Sequence, residues 1–397
     1  MVLNEQKSFY EFFAGVGLIR AGLENTGWNC IWANDICKKK EEVYKKNFNG
    51  NDFYCEDIWK IVNNTLSLPK KVFLATASFP CTDLSVAGNR QGLQGSQSGT
   101  LLAFLEIMKE LKNKDDHPAV LMLENVQGFL SSHNGKDIAD TVEFLNHLDY
   151  IVDLIEVDAK YFTAQSRPRV FLFAITSSLA KNVMKLKSKN NDTVLSAWWQ
   201  HYERSPLFRS KKVKKIIQKY NHLNWGLFDL PNLPSRTQTL NDVIELLSDD
   251  SKYWWTPDKE EKILGQMTEK HLEILNQWKN QNKLSYGTLY RRIRNNMTRA
   301  ELRSDGIAGC LRTPKGGSSK QILVEAGFGR IRFRLLTPRE YARLQGVKDQ
   351  YILPDSVTDG YFAMGDAVCV PVIDWLSKNI LLKCFDVYHR KQLTKAA

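Results

Sequence analysis

A chain of 397 residues exceeds one typical domain and predicts two, with ample material for a buried core. Its 43% apolar and 11% aromatic residues exclude a disordered chain. No apolar run approaches the roughly 18 residues of a membrane span, and the opening MVLNEQKSFYEF lacks the basic-then-apolar pattern of a signal peptide. The net charge of +11 is uneven: residues 179–333 hold 28 Lys and Arg against 15 Asp and Glu, a balance of +13, leaving −2 for the rest. Such a field suits a polyanion, and nucleic acid is the expected partner. The seven cysteines are scattered and show no C-x-x-C pair. They predict the reduced thiols of a cytoplasm, with neither a disulfide framework nor a metal site.

In chain order, the strand-like runs are SFYEFF (8–13), CIWAN (30–34), DFYCED (52–57), VFLATAS (72–78), AVLMLENV (119–126), YIVDLIEVD (150–158) and RVFLFAIT (169–176). Helical segments such as LIRAGLENTG, KKKEEVYKKNF and TLLAFLEIMKELKN fit between most of them. The alternation predicts an α/β architecture, an open and mostly parallel sheet with helices on both faces. After residue 178 the rhythm stops. KKVKKIIQKY, WWTPDKEEKILGQMTEKHLEILNQWKN and LYRRIRNNMTRAELRSDG are polar, basic and aromatic without a repeated βα unit. They predict a second, smaller, mixed domain, with SAWWQHYERS and YWW in its core. LTPREYARLQG reads as a helix with a proline near its start. AVCVPVIDWLSKNILLKCF is apolar at helical spacing and is expected to pack back onto the first domain. The expected divisions are 1–177, 178–355 and 356–397.

FFAGVGLIRAG places Gly15 and Gly17 between the first strand and the first helix. There a nucleoside can approach backbone that carries no Cβ. Arg20 occupies the place of the third glycine of a dinucleotide fingerprint, which disfavours a pyrophosphate. Asp35 ends the second strand, where it could accept both hydroxyls of a ribose, and Asp57 ends the third, where it could meet an adenine amino group. Cys81 follows the fourth strand behind Pro80 and precedes a long tract rich in Gly, Ser, Gln and Asn. Glu124 lies at the end of the fifth strand, and Arg167 and Arg169 before the last. A thiol, an acid and two cations at one sheet edge suit nucleophilic attack on an electron-poor ring, with the acid on a ring nitrogen.

FAGVG, FPC…S…G, ENV, QSRPRVF, LTPREYARLQG and MGDAVCVPV, in this order, resemble the motifs of the DNA cytosine-5 methyltransferases, of the bacterial restriction-modification type. The resemblance runs from about residue 8 to 176 and resumes at about 306, around the basic segment, where that family carries a variable target-recognition region. It implies a Rossmann-like methyltransferase fold with a smaller target-recognition domain, acting on double-stranded DNA as a cytoplasmic monomer, with a restriction endonuclease as functional partner. It also implies S-adenosylmethionine as cofactor, held by Phe13, Gly15, Gly17, Asp35, Ile36, Asp57, Ile58, Pro80, Ala367 and Val368. Cys81 would attack C6 of a flipped cytosine, Glu124 would contact N3 and the exocyclic amine, and Arg167 and Arg169 would orient the catalytic loop and meet the base or a phosphate. Ser85, Arg90, Gln91, Arg312, Lys315 and Gly316 are the expected DNA contacts. The chain departs from the family's usual residues at Ser78 (commonly Gly), Thr82 (commonly Gln), Asp366 (usually Asn) and Ala367 (often Ser). The alternatives are a tRNA cytosine-5 methyltransferase of the same fold and a catalytically inactive DNA-binding relative.

Overall fold

The computed structural model describes residues 7–62, 65, 68–69, 72–80, 99–187, 197–205, 207–294, 297–314 and 320–396. Cys81, Ser85, Arg90, Gln91, Lys315 and Gly316 lie outside the described residues. The chain divides into two compact units, one of Met1–Val157, Pro168–Asn232 and Val372–Ala397, the other of Asp158–Arg167 and Leu233–Pro371. Among the described residues no helix is long and apolar enough to cross a membrane.

All seven strand-like runs of the first half form strands: β1 (Ser8–Phe12), β2 (Asn29–Asp35), β3 (Phe53–Cys55), β4 (Leu74–Ala77), β5 (Val120–Val126), β6 (Tyr150–Asp158) and β7 (Pro168–Thr176). They make one sheet in the order β3-β2-β1-β4-β5-β7-β6. β1 and β4 are buried along their whole length, as near-continuous apolar strands covered on both faces must be. Helices α1 (Leu18–Glu24), α2 (Lys38–Asn47), α3 (Ile58–Val62) and α4 (Thr100–Asn113) follow β1, β2, β3 and β4. α4 buries Leu101, Phe104, Leu105, Met108 and Leu111 at helical spacing. The Phe104 ring meets Phe12 of β1 at 5.1 Å between centroids.

The strands from β3 to β5 pair in parallel, whereas β7 runs antiparallel to β5. Reversal brings the start of β7 to the edge where β5 ends, so Arg169 lies opposite Val126. Chain order reverses between β1 and β4, and ligands of open α/β sheets bind outside the carboxyl ends of strands at such a switch. The glycine turn leaves β1 there, and Ser78-Phe79-Pro80 leaves β4.

The expected boundary at 177 does not coincide with the division between units. Residues 178–232 pack with the first unit, where Trp198, Trp199 and Tyr202 join the main core cluster instead of the smaller domain. The short strands β8 (Lys185–Leu186) and β9 (Gly226–Leu227) pair in this segment. Arg209 reaches Asp153 of β6 at 2.6 Å, with both side chains buried. A pair so desolvated, together with three large aromatic rings, ties the segment to the sheet. The C-terminal return begins at Val372, and its Ser377 hydroxyl accepts from Trp28 Nε1 at 2.9 Å.

The second unit is more regular than its sequence suggests. β10 (Ser285–Arg294), β11 (Met297–Arg303), β12 (Ile322–Gly327) and β13 (Arg330–Leu335) form an antiparallel sheet in the order β11-β10-β12-β13. Leu289, Ala300, Val324 and Phe333 face a core that includes Leu275 of the helix Glu269–Lys279. Alternating arginines on the strands mask this period-two pattern in the sequence. LTPREYARLQG forms the helix Pro338–Leu344, started by a reciprocal cap between Thr337 and Glu340. Glu340 also pairs with Arg334 at 2.5 Å, both fully buried.

Candidate active site

The turn after β1 is built on three left-handed residues, Phe13 (φ 55°), Gly15 (φ 58°) and Gly17 (φ 81°). For Phe13 this backbone is uncommon and strained, as at many ligand sites. A Cβ at Gly17 would stand 2.4 Å from the Phe48 ring and 2.9 Å from that of Tyr44. At Gly15 it would meet no atom within 4 Å among the described residues beyond its two chain neighbours. Packing therefore requires the second glycine, while the first leaves open space beside the backbone. The Gly15 N–H donates to Asp35 Oδ2 and the Cys37 N–H to Asp35 Oδ1, each at 2.9 Å. One bond per oxygen leaves acceptor capacity on both, enough for a pair of ribose hydroxyls. Lys40 adds a distant positive charge at 3.9 Å.

Beneath this turn lies a buried polar network that sequence reasoning missed. Glu11 of β1 is fully buried and accepts from the Arg20 main-chain N–H at 3.0 Å and from the Tyr44 hydroxyl at 3.1 Å. Burial pushes its carboxyl up to about 8, against the opposing pull of Arg20. The Arg20 guanidinium bonds Glu24 at 2.6 Å, Asp52 at 2.7 Å and the Tyr44 hydroxyl at 3.0 Å. An acid in the middle of SFYEFF is the one available signal, because an unpaired charge is not tolerated on a strand buried on both faces.

Ile36 is 68% exposed beside Asp35, an apolar surface open to a flat ring. Asp57 accepts from the Trp59 N–H at 3.0 Å at the start of α3, and Ile58 is buried beneath. Open backbone at Gly15, acceptor capacity at Asp35 and exposed apolar surface at Ile36 fit the adenosine portion of S-adenosylmethionine.

At the ends of β4 and β5 a second cluster forms. Glu124 is 5% exposed. Arg169 Nε approaches its Oε1 at 3.1 Å, and the Ser78 hydroxyl donates to its Oε2. Asn125 Nδ2 donates to the Phe79 carbonyl at 3.1 Å, holding the chain where it leaves β4 before Pro80. Of the four expected catalytic residues, the first unit thus brings Glu124 and Arg169 together. Ser78 and Asn125 are additions. Ser78 carried a signal as a departure from the family's usual residue, and Asn125 lies within the ENV motif.

Arg167 belongs to the second unit and is 2% exposed. Its guanidinium donates to the carbonyls of Leu311 at 2.9 Å, Gly365 at 3.1 Å and Ala367 at 2.6 Å. Main-chain carbonyls of its own unit thus receive this guanidinium. Ala367 is half-buried and Val368 buried, and Gln345 Nε2 also donates to the Ala367 carbonyl at 3.1 Å. Arg312 is exposed.

Type II methyltransferase M.HpaII of Haemophilus parainfluenzae is 24% identical over 402 residues, covering 97% of this chain and 92% of its own. Type II methyltransferase M.Bsp6I of Bacillus sp. (strain RFL6) is 28% identical over 377 residues, covering 93% and 96%. Among solved structures, the Dnmt2 methyltransferase of S. pombe matches with a TM-score of 0.61 at 17% identity, over 95% of this chain and 99% of its own. The methyltransferase EhMeth of Entamoeba histolytica matches with a TM-score of 0.58 at 14% identity, over 96% and 99%. These two are likenesses of fold. A family model of C-5 cytosine-specific DNA methylases matches residues 7–382. With that match over nearly its whole length, the chain belongs to the C-5 cytosine-specific DNA methylases, enzymes that use S-adenosylmethionine as methyl donor.

Proposed function

We propose that Cys81, Glu124 and Arg169 perform the chemistry of cytosine C5 methylation, with Cys81 as nucleophile. The observation that carries this reading is the Glu124 carboxyl, held by Arg169 and by Ser78, a residue that precedes Cys81 by three positions in the sequence. The Cys81 thiolate bonds to C6 of the ring, and the electron pair displaced toward N3 is met by Glu124. S-adenosylmethionine supplies an electrophilic methyl group to C5. A water molecule takes the C5 proton as the C6–S bond breaks, which restores the ring and frees the thiolate. Stacking covers C6 in a duplex, so the cytosine must leave the helix at a cost of about a few kcal/mol.

Phe13, Gly15 and Gly17 would hold the donor with Ile36, Ile58 and Pro80, Asp35 taking its ribose and Asp57 its adenine. Arg167 would act as a positioning residue for the main chain of its own unit, through the carbonyls of Leu311, Gly365 and Ala367. We assign target reading to the second unit, whose arginine-rich β10 and β11 and exposed Arg312 suit phosphate and groove contacts. Lys315 and Gly316 would contribute there, and Ser85, Arg90 and Gln91 from the tract after Cys81. A monomer in a bacterial cytoplasm, paired with a restriction endonuclease of the same specificity, completes the reading.

The test is incubation with duplex DNA carrying 5-fluorocytosine at the target, in the presence of donor. Fluorine cannot leave C5 as a proton does, so the wild type should form a covalent adduct stable to denaturant, and Cys81→Ala should form none. Free wild-type enzyme after denaturation, or an adduct with Cys81→Ala, defeats the assignment. Labelled methyl entering tRNA but not duplex DNA would transfer the same chemistry to RNA.

A further inference from the structure

We propose that Ser78 is a positioning residue for methyl transfer, acting through Glu124. The inference rests on the catalytic reading of Glu124 given above. Ser78 is the first residue beyond β4, and its hydroxyl donates to Glu124 Oε2. Arg169 holds the other oxygen, at 3.1 Å through Nε. These two contacts come from opposite neighbours of β5, since β4 pairs with it on one side and β7 on the other.

The terminal torsion of a glutamate side chain is broad and has no sharp minimum of its own. A single partner on one oxygen acts as a hinge about which the carboxyl plane can turn. A second donor on the other oxygen fixes that plane. A carboxylate offers about four acceptor positions, and these two donors take one on each oxygen. One position remains on each oxygen, lying in the same plane. That pair of positions matches two adjacent N–H donors on one edge of a planar ring, such as a cytosine protonated at N3 beside its exocyclic amine. The Asn125 bond to the Phe79 carbonyl works on the same turn, so Ser78 links the orientation of the acid to that of the chain leading to the thiol. Ser78 touches neither the ring nor the donor in this account; its effect passes through Glu124.

Single-turnover transfer from S-adenosylmethionine to saturating duplex DNA tests the assignment, with binding of DNA and donor measured separately. Ser78→Ala should slow transfer about ten- to a hundredfold, the scale of a mispositioned reacting group, while both dissociation constants stay within about twofold of wild type. Ser78→Thr, which keeps a hydroxyl, should recover most of the rate, and the equally shaped Ser78→Val should not. This pair carries the test if the alanine variant fails to fold. In a Glu124→Gln background, Ser78→Ala should cause little further loss, because the group it orients is already changed. A wild-type rate for Ser78→Ala overturns the proposal, as do equal rates for Thr and Val, or equal losses in the two backgrounds. Failure of the catalytic reading is distinguishable: it appears as a wild-type enzyme inert on duplex DNA, whereas an active wild type with an indifferent Ser78 defeats this inference alone.

Discussion

Alanine at Gly15 and at Gly17 should produce opposite phenotypes, although the two residues share one turn. Both have left-handed backbone, φ 58° and 81°, so each substitution carries about 1–2 kcal/mol of backbone strain. At Gly17 the new Cβ would also stand 2.4 Å from the Phe48 ring and 2.9 Å from Tyr44. Overpacking against rings typically costs about 1–3 kcal/mol more, so Gly17→Ala should lose about 2–5 kcal/mol of stability in all. At Gly15 no atom of the described residues other than its chain neighbours lies within 4 Å of the added carbon, and the loss should remain near the strain term alone. That same carbon would intrude on the space assigned to S-adenosylmethionine. A clash worth about 1.4–2.8 kcal/mol there weakens binding about ten- to a hundredfold. Urea denaturation without ligand, together with calorimetric titration of the donor, separates the two effects. If Gly15→Ala binds the donor as wild type does, the open space beside Gly15 is not the donor's, and the placement of the cofactor site fails.

Glu11→Gln should change how stability depends on pH. The folded carboxyl stands at about 8, against about 4.3 in an unfolded chain. The folded state therefore holds a proton that the unfolded state has lost, and wild-type stability should fall as pH rises from about 4 through about 8, then level off. The full span is on the order of several kcal/mol. Glutamine removes this slope, so the wild-type and variant urea curves should diverge between about pH 5 and about pH 8; parallel curves would show Glu11 ionised in the fold. Arg209→Ala should cost about 3–5 kcal/mol, because it strands the buried Asp153 carboxylate. Replacing the pair together, Asp153→Leu with Arg209→Met, should cost less than the single change in the same denaturation assay.

Much of the fold is legible because it rests on local pattern. β1, β4 and β5 are apolar over consecutive residues, and α4 repeats its apolar positions every three or four. The basic segment misled in two ways. SAWWQHYERS looked like core of the smaller domain, yet nothing in a run of aromatics states which core it will enter, and Trp198 and Trp199 entered the larger one. LYRRIRNNMTRAELRSDG concealed two paired strands because only one residue in two faces the core, as Leu289 and Ala300 do.

The sequence by itself determined the seven strands, the glycine turn, and the acid Glu124 near the end of its strand, since each depends on neighbouring residue types and on chain order. Only the tertiary structure decided that Arg169 meets Glu124 while Arg167, two residues away, is enclosed by the carbonyls of Leu311, Gly365 and Ala367. It alone decided that Ser78 completes the hold on Glu124. The physical reason is the pairing of β7 against β5 in reverse, with β4 on the other side. Strand direction and register are long-range choices, and they bring together side chains that lie 45 and 46 positions from Glu124 in the chain.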